Sequence, residues 1–129
     1  MKELLYLKDD QLKEFIEKIF MSYRDTFSDA KKILNKYKIG VAHHKVIHLI
    51  SLHKGITISA LLSKLKVTKQ SLNRVIKDLL LIKAIYFEKD DKDTRLKHIY
   101  LSEKGLNIFN EIFSVQKKRI YNALIDSDS

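Results

Sequence analysis

Cysteine, proline and tryptophan are missing from all 129 residues, and only three glycines are present. Each absence removes something. Without cysteine there is no disulfide, no thiolate metal site, no cysteine nucleophile and no cysteine redox switch. Without proline, and with glycine so sparse, little interrupts a helix, so a mostly helical chain with short connections is expected. No apolar run approaches the roughly 20 residues that a membrane span needs. The opening stretch MKELLYLKDDQLKE turns acidic too early for the apolar core of a signal peptide, which makes a cytoplasmic protein the expectation. Nucleophile elbow, phosphate loop and metal-ligand set are missing as well. Neither an enzyme nor a cofactor-binding protein is expected.

What is present suits one domain. Hydrophobic residues make up 45% of the chain, enough for a real core. The net charge of +9 is unevenly spread. Residues 41–101 hold 12 Lys+Arg against 5 Asp+Glu, a net of +7, and everything else carries only +2. Lysine-rich codon usage would raise the total but would not place the excess in one segment. A polyanionic partner would.

Helical periodicity starts early. From about Asp10 to Lys38, Leu12, Phe15, Ile16, Ile19, Phe20, Tyr23, Phe27, Ala30, Leu34 and Tyr37 repeat at steps of three and four. Asp9 or Asp10 is the candidate cap, and Gly40 the candidate left-handed stop. That stripe is longer than one small domain can cover, so a partner helix from a second copy is expected. A second helix is expected from Val41 to His53, stopping at Gly55. Ile56–Ile58 suits a very short strand, and Thr57 a cap for a helix over 59–65 with Leu61, Leu62 and Leu65 inward.

The most informative stretch follows. After a turn at Lys66 and Val67, Thr68 caps a helix with two interlocking stripes. Leu72, Val75, Ile76, Leu79 and Leu80 form an apolar face for burial. Gln70, Asn73, Arg74 and Lys77 form a second face of the side-chain types that read base edges in a major groove, with Lys69 and Ser71 nearer the helix start. A hairpin comes next, with Ile85 and Phe87 alternating with Ala84 and Tyr86, a polar tip from Lys89 to Lys97, and Ile99 and Leu101 on the return strand. Ser102 then caps a last helix bearing Leu106, Phe109, Ile112, Phe113, Ile120 and Leu124. A reading helix beside a charged hairpin is the plan of a winged helix. The expected fold is mainly α with a small β-hairpin wing, and its expected partner is DNA. Lys89, Lys92 and Lys97 are the phosphate-contact candidates, and Asp93 is placed to orient Arg95.

In these residues the chain resembles the MarR family of bacterial transcriptional regulators. Asp93-Thr94-Arg95 followed by Ile99-Tyr100-Leu101-Ser102-Glu103-Lys104-Gly105 is similar to the family's wing signature. Gly55-Ile56-Thr57-Ile58-Ser59-Ala60-Leu61-Leu62 is similar to the segment that leads into its helix-turn-helix, and Thr68 to Val75 to its recognition helix. The resemblance spans about residues 38–108. It implies a single winged-helix domain whose residues 1–40 and 102–129 build an intertwined homodimer, with 41–101 as the DNA-binding lobe. It implies a pseudo-palindromic duplex operator, Arg95 in the minor groove, and a small-molecule effector pocket at the junction of the lobes, where His43 and His44 fall, with a neutral packing role for these histidines as the equal alternative. Thr94 stands where many members carry a second arginine, which implies a lighter grip. Typical members also continue into a further C-terminal helix beyond the point where this sequence ends, which implies a dimer lobe that is smaller, rearranged, or represented here by a shortened sequence.

His44 and His48 are four apart on one helix face, a spacing that can hold a metal, but no third ligand accompanies them, so no metal is expected. The rival reading is a winged helix that binds RNA or protein without an operator. Against single-stranded RNA stands the expectation that most Phe and Tyr fall on inward stripes.

Overall fold

A computed structural model describes residues 6–128. The elements run α1 (Asp9–Lys36), α2 (Val41–Leu52), α3 (Ile58–Leu65), α4 (Lys69–Leu81), β1 (Ile85–Lys89), β2 (Lys97–Leu101) and α5 (Glu103–Asp128). This is the winged-helix order read from the sequence. The chain divides into two compact units, Ile33–Ile112 and Met1–Lys32 with Phe113–Ser129.

The unit Ile33–Ile112 holds most of the buried apolar side chains. Val46, Ile47 and Ile50 of α2, Leu61 of α3, Leu72, Ile76 and Leu79 of α4, Ile85 and Ile99 of the hairpin, and Ile108 and Ile112 of α5 are all buried. Each contributes on the order of 1.5–3 kcal/mol relative to exposure. α2 packs on β2 and α4, α3 on β2, and α4 on β1. The hairpin is antiparallel, with Phe87 opposite Ile99 and Lys89 opposite Lys97. The expected strand at Ile56–Ile58 shrinks to one bridge, Ile56 to Ile99, because Ile58 already belongs to α3.

The caps explain where the helices begin. Thr57 Oγ1 accepts from Ala60 N–H, and Thr68 Oγ1 from Ser71 N–H. Ser102 Oγ accepts from Gly105 N–H while donating to the Lys83 carbonyl at 2.6 Å. α1 begins differently from expectation. Asp9 and Asp10 lie within its first turn, and Lys8 N–H donates to Gln11 Oε1. Acidic side chains there favour the positive end of the helix dipole.

The helix stops also differ. Gly40 has φ −117° and caps the start of α2, while Lys38 takes the left-handed conformation at φ 58°. Ile39 N–H then closes back on the Leu34 carbonyl, and Ala84 N–H closes likewise on Leu79 after left-handed Lys83. These are Schellman closures, in which the apolar follower frequently packs back on the last turn. Ile39 and Ala84 are buried, so packing selects the stop even at the expense of a left-handed lysine.

α5 buries only part of the apolar stripe read for it, Ile112 among the residues that stay inward. Gly105, Ile108 and Ile112 are buried, whereas Leu106 and Phe113 are 47% and 42% exposed. Leu106 stands one position, about 100° of helix, away from Gly105. On α4, Leu80 is 39% exposed rather than covered. The side chain of Leu124 lies outside the described residues.

Within the second unit, Arg119 of α5 binds Asp29 of α1 through two hydrogen bonds, Nε to Oδ2 at 2.8 Å and Nη2 to Oδ1 at 3.0 Å. That guanidinium holds the Asp29 carboxyl below its ordinary range. A cavity of about 300 Å³ opens between Phe15, Ile19, Tyr23, Ile120 and Ala123. Against the expectation that most Phe and Tyr fall on inward stripes, Phe20, Tyr23 and Tyr121 are 68%, 62% and 63% exposed. Among the described residues no helix is long and apolar enough to cross a membrane.

Candidate nucleic-acid interface

α4 is anchored on one side and free on the other. Leu72, Ile76 and Leu79 are buried, while Lys69, Gln70, Ser71, Asn73, Arg74 and Lys77 are exposed. The Thr68 hydroxyl is committed to the cap, accepting from Ser71 N–H and donating to Ser71 Oγ at 2.9 Å. Capping of this kind is worth about 1 kcal/mol and fixes where the first turn points.

The wing is set by its own acids. Asp90 Oδ2 accepts from the backbone N–H groups of Lys92 and Asp93, both at 3.0 Å. Asp90 N–H in turn donates to the Leu96 carbonyl. Asp93 Oδ1 accepts from Arg95 N–H at 3.0 Å and from Arg95 Nε at 3.3 Å. The guanidinium is therefore oriented by the residue two positions before it, while its side chain stays 91% exposed. Lys89 and Lys97 face each other across the hairpin end, and Lys97 Nζ lies 5.7 Å from the Phe87 ring centre. Like charges directly opposite one another destabilise a hairpin.

Sequence reasoning overlooked a histidine in this region. His98 of β2 places Nε2 2.8 Å from Asp90 Oδ1 and Nδ1 2.8 Å from the Gly55 carbonyl oxygen. The Asp90–Asp91–Lys92–Asp93 run is of the composition that closes a turn with its own side chains. Only the strand register brings His98 to it. The contact with His98, followed by the two backbone donors, depresses the Asp90 carboxyl to about 2.

The two histidines assigned to an effector pocket have different surroundings. His43 is partly buried; its Nδ1 accepts from Gly40 N–H at 3.0 Å and its Nε2 donates to Asp78 Oδ2 at 2.9 Å. One donor and one acceptor partner fix the ring's orientation, with Nδ1 accepting and Nε2 donating. His44 is only 4% exposed. Its ring packs edge-on to His48 at 6.4 Å, and His48 sits 5.8 Å from Phe109. Burial, with smaller contributions from His48 and Lys45, lowers the His44 pKa to about 4. Among the described residues no group of three or more His, Cys, Asp or Glu side chains could hold a metal ion.

Comparison with known proteins places this arrangement. A model of the MarR family matches residues 37–96. The HTH-type transcriptional regulator PetP of Rhodobacter capsulatus is 39% identical over 117 residues, covering 91% of this chain and 70% of that protein. The chain belongs to the MarR family. Solved structures share its fold. The S. aureus MepR–DNA complex superposes with a TM-score of 0.68 at 22% identity, over 82% of this chain and 79% of that one. A MarR transcriptional regulator from Methanosarcina mazei Go1 gives 0.64 at 26% identity, over 84% and 81%. The MarR family match covers α2, α3, α4, β1 and the Asp93–Arg95 turn. The MarR family consists of transcriptional regulators.

Proposed function

We propose that this chain regulates transcription by binding duplex DNA as a homodimer, with α4 in the major groove and the wing in the minor groove. One observation carries the reading: Gln70, Asn73, Arg74 and Lys77 stand in solvent on a helix whose opposite face is locked into the core. Family membership supports it, as does the MepR structure solved with DNA. Gln70 and Asn73 suit adenine and Arg74 suits guanine, each good pair discriminating by roughly 1–3 kcal/mol. Thr68, Lys69, Ser71 and Lys77 lie along the same helix, and Lys89, Lys92 and Lys97 on the wing supply phosphate contacts. Asp93 presents Arg95 to the minor groove, where narrow A·T tracts attract cations.

The flanking segments, 1–40 and 102–129, serve the dimer, and 41–101 the DNA. Exposed Ile16, Ile19, Phe20 and Tyr23 on α1, with Ile120, Tyr121 and Ile125 on α5, are the surface a second copy would cover. Two α4 helices would then enter successive major grooves of a pseudo-palindromic site, about one helical turn apart. An effector would act near the start of α2 at partly buried His43, with His44 packed in the core rather than open to a ligand. The site of action is the cytoplasm.

Selection of bound duplexes from a random pool tests the reading, with Arg74→Ala and Arg95→Ala in parallel. Arg74→Ala relaxes base preference, and Arg95→Ala weakens binding mainly at A·T-rich flanks. Unchanged selection by both variants would falsify this surface. A second reading, RNA binding, draws support from Tyr86, which is 43% exposed and stacked on Tyr100 at 5.6 Å. Preference for structured or single-stranded RNA in competition with the selected duplex would favour it.

A further inference from the structure

His98 is not among the groups assigned to DNA, yet it joins the wing to the segment that feeds the helix-turn-helix. Both of its ring nitrogens sit 2.8 Å from oxygen atoms, the Asp90 carboxylate and the Gly55 carbonyl. Neither oxygen carries a proton to give, since Asp90 stays ionised down to about 2 and a peptide carbonyl only accepts. Both nitrogens must therefore donate, and an imidazole donates twice only as the cation. His43 is the contrast within the same unit: its Nδ1 accepts from the Gly40 N–H, so only its Nε2 donates.

The consequence runs along a chain of contacts. Gly55, at φ 81°, stands two residues before the Thr57 cap of α3, and its N–H donates to the Ile99 carbonyl. From Gly55 the chain passes through His98 to Asp90 Oδ1. Asp90 Oδ2 gathers the Lys92 and Asp93 amides, and Asp93 Oδ1 holds Arg95. The links within the wing turn are local, and His98 carries the chain from that turn to the α2–α3 connection, beside the Gly55–Ile99 backbone bond. Charge-assisted hydrogen bonds of this kind are the stronger class.

We infer that His98, held as an imidazolium between Asp90 and Gly55, is a positioning residue that fixes the Arg95-bearing turn and makes duplex binding depend on a proton. This rests on the DNA-binding reading above. The charges acting on the ring are Asp90 and, more weakly, Asp91, both on the wing turn; from the α2–α3 connection it meets the Gly55 carbonyl. Its pKa is raised above 6.5, first by the Asp90 hydrogen bond and then by the Gly55 one. A raised histidine pKa means the latch is complete below pH 6.5 and is lost as pH climbs through the raised value. Asp90 remains ionised throughout that window and adds no pH dependence of its own.

The experiment pairs nuclear magnetic resonance of the free protein with duplex binding at constant ionic strength. In long-range proton–nitrogen spectra at pH 6.5, both His98 ring nitrogens are expected to be protonated, and Asp90→Asn is expected to lower the titration midpoint. Anisotropy with a labelled random-sequence duplex pool should show wild-type affinity falling roughly fivefold or more from pH 6 to pH 9, within the tenfold per pH unit that one linked proton allows. His98→Gln should bind weakly at both ends with a flattened profile, and Arg95→Ala should flatten it too, because the relay ends there. A neutral His98 at pH 6.5, or a His98→Gln profile parallel to wild type, overturns the latch. Wild type that fails to bind the pool at any pH overturns the DNA reading instead, and the resonance titration then decides the latch alone.

Discussion

Gly105 lies so close to the Ala84 carbonyl oxygen that a side chain in its place would overlap it. Ser102 links the two at the start of α5: its N–H donates to that same carbonyl, and its hydroxyl accepts from Gly105 N–H. The Leu-Ser-x-x-Gly spacing thus has a steric origin, with serine capping the helix and glycine letting it approach the chain before the hairpin. Gly105→Ala must push α5 away from buried Ala84, and overpacking of that kind costs about 1–3 kcal/mol. Gly40→Ala is the control, since the added methyl meets nothing nearer than His43 Nδ1 at 3.8 Å. Urea unfolding should show a clear loss for Gly105→Ala and less than about 1 kcal/mol for Gly40→Ala. Equal losses would discard the steric account.

Acid should destabilise the fold through His44. Its pKa falls from 6.5 to about 4 on folding, chiefly because the ring is buried. Above pH 6.5 both folded and unfolded chains leave it neutral, and stability is complete. Below 6.5 the unfolded chain takes up the proton first, so stability drains away until the pH passes about 4. By pH 5 linkage puts the loss on the order of 2 kcal/mol. His44→Leu, of similar bulk and without a proton to gain, should lose less between pH 7.5 and pH 5 in urea titrations. Parallel losses in both proteins would remove His44 as the cause.

Local chemistry made much of this fold legible. Thr57, Thr68 and Ser102 cap helices because a hydroxyl needs only its own next turn, and all three are where the sequence placed them. The exposed face of α4 was legible for the same reason, since 3.6-residue spacing sorts Gln70 and Arg74 from Leu72 and Ile76. What resisted reading depends on partners distant in sequence. Lys38 rather than Gly40 turns left-handed because Ile39 must be buried. Ile108 rather than Leu106 faces inward because Gly105 sets the rotation of α5 against Ala84. His98 meets Asp90 only because of the hairpin register, eight residues apart in the chain. His43 and His44 looked like a pair, but adjacent helix positions point about 100° apart.

Assembly is testable on one exposed ring. Phe20 is 68% exposed on α1, so replacing it costs the single chain little. If a second copy covers this face, Phe20→Asp places an unpaired charge in an apolar contact and weakens self-association by about tenfold or more. Leu52→Asp provides the control, because Leu52 is 67% exposed in the unit Ile33–Ile112. Sedimentation velocity over a concentration series should move Phe20→Asp toward the monomer and leave Leu52→Asp with wild type. The opposite pattern would shift the proposed interface to the other unit.

Asp93 and Arg95 should behave as one device. Their contact is exposed, and exposed ion pairs stabilise a fold little, so Asp93→Ala is expected to leave the melting temperature nearly unchanged. Its effect belongs to binding. Asp93 Oδ1 holds both the backbone and the Nε of Arg95, so without it the guanidinium must be ordered when DNA arrives, at roughly 0.5–1.5 kcal/mol for an immobilised side chain. Asp93→Ala should therefore weaken duplex binding severalfold, although it removes a negative charge that by itself would repel phosphate. Arg95→Ala should weaken binding at least as much, and the double variant no more than Arg95→Ala alone, because Asp93 acts only through Arg95. Additive losses in anisotropy titrations would show Asp93 contacting the duplex independently, and tighter binding by Asp93→Ala would show its charge outweighing its grip on Arg95.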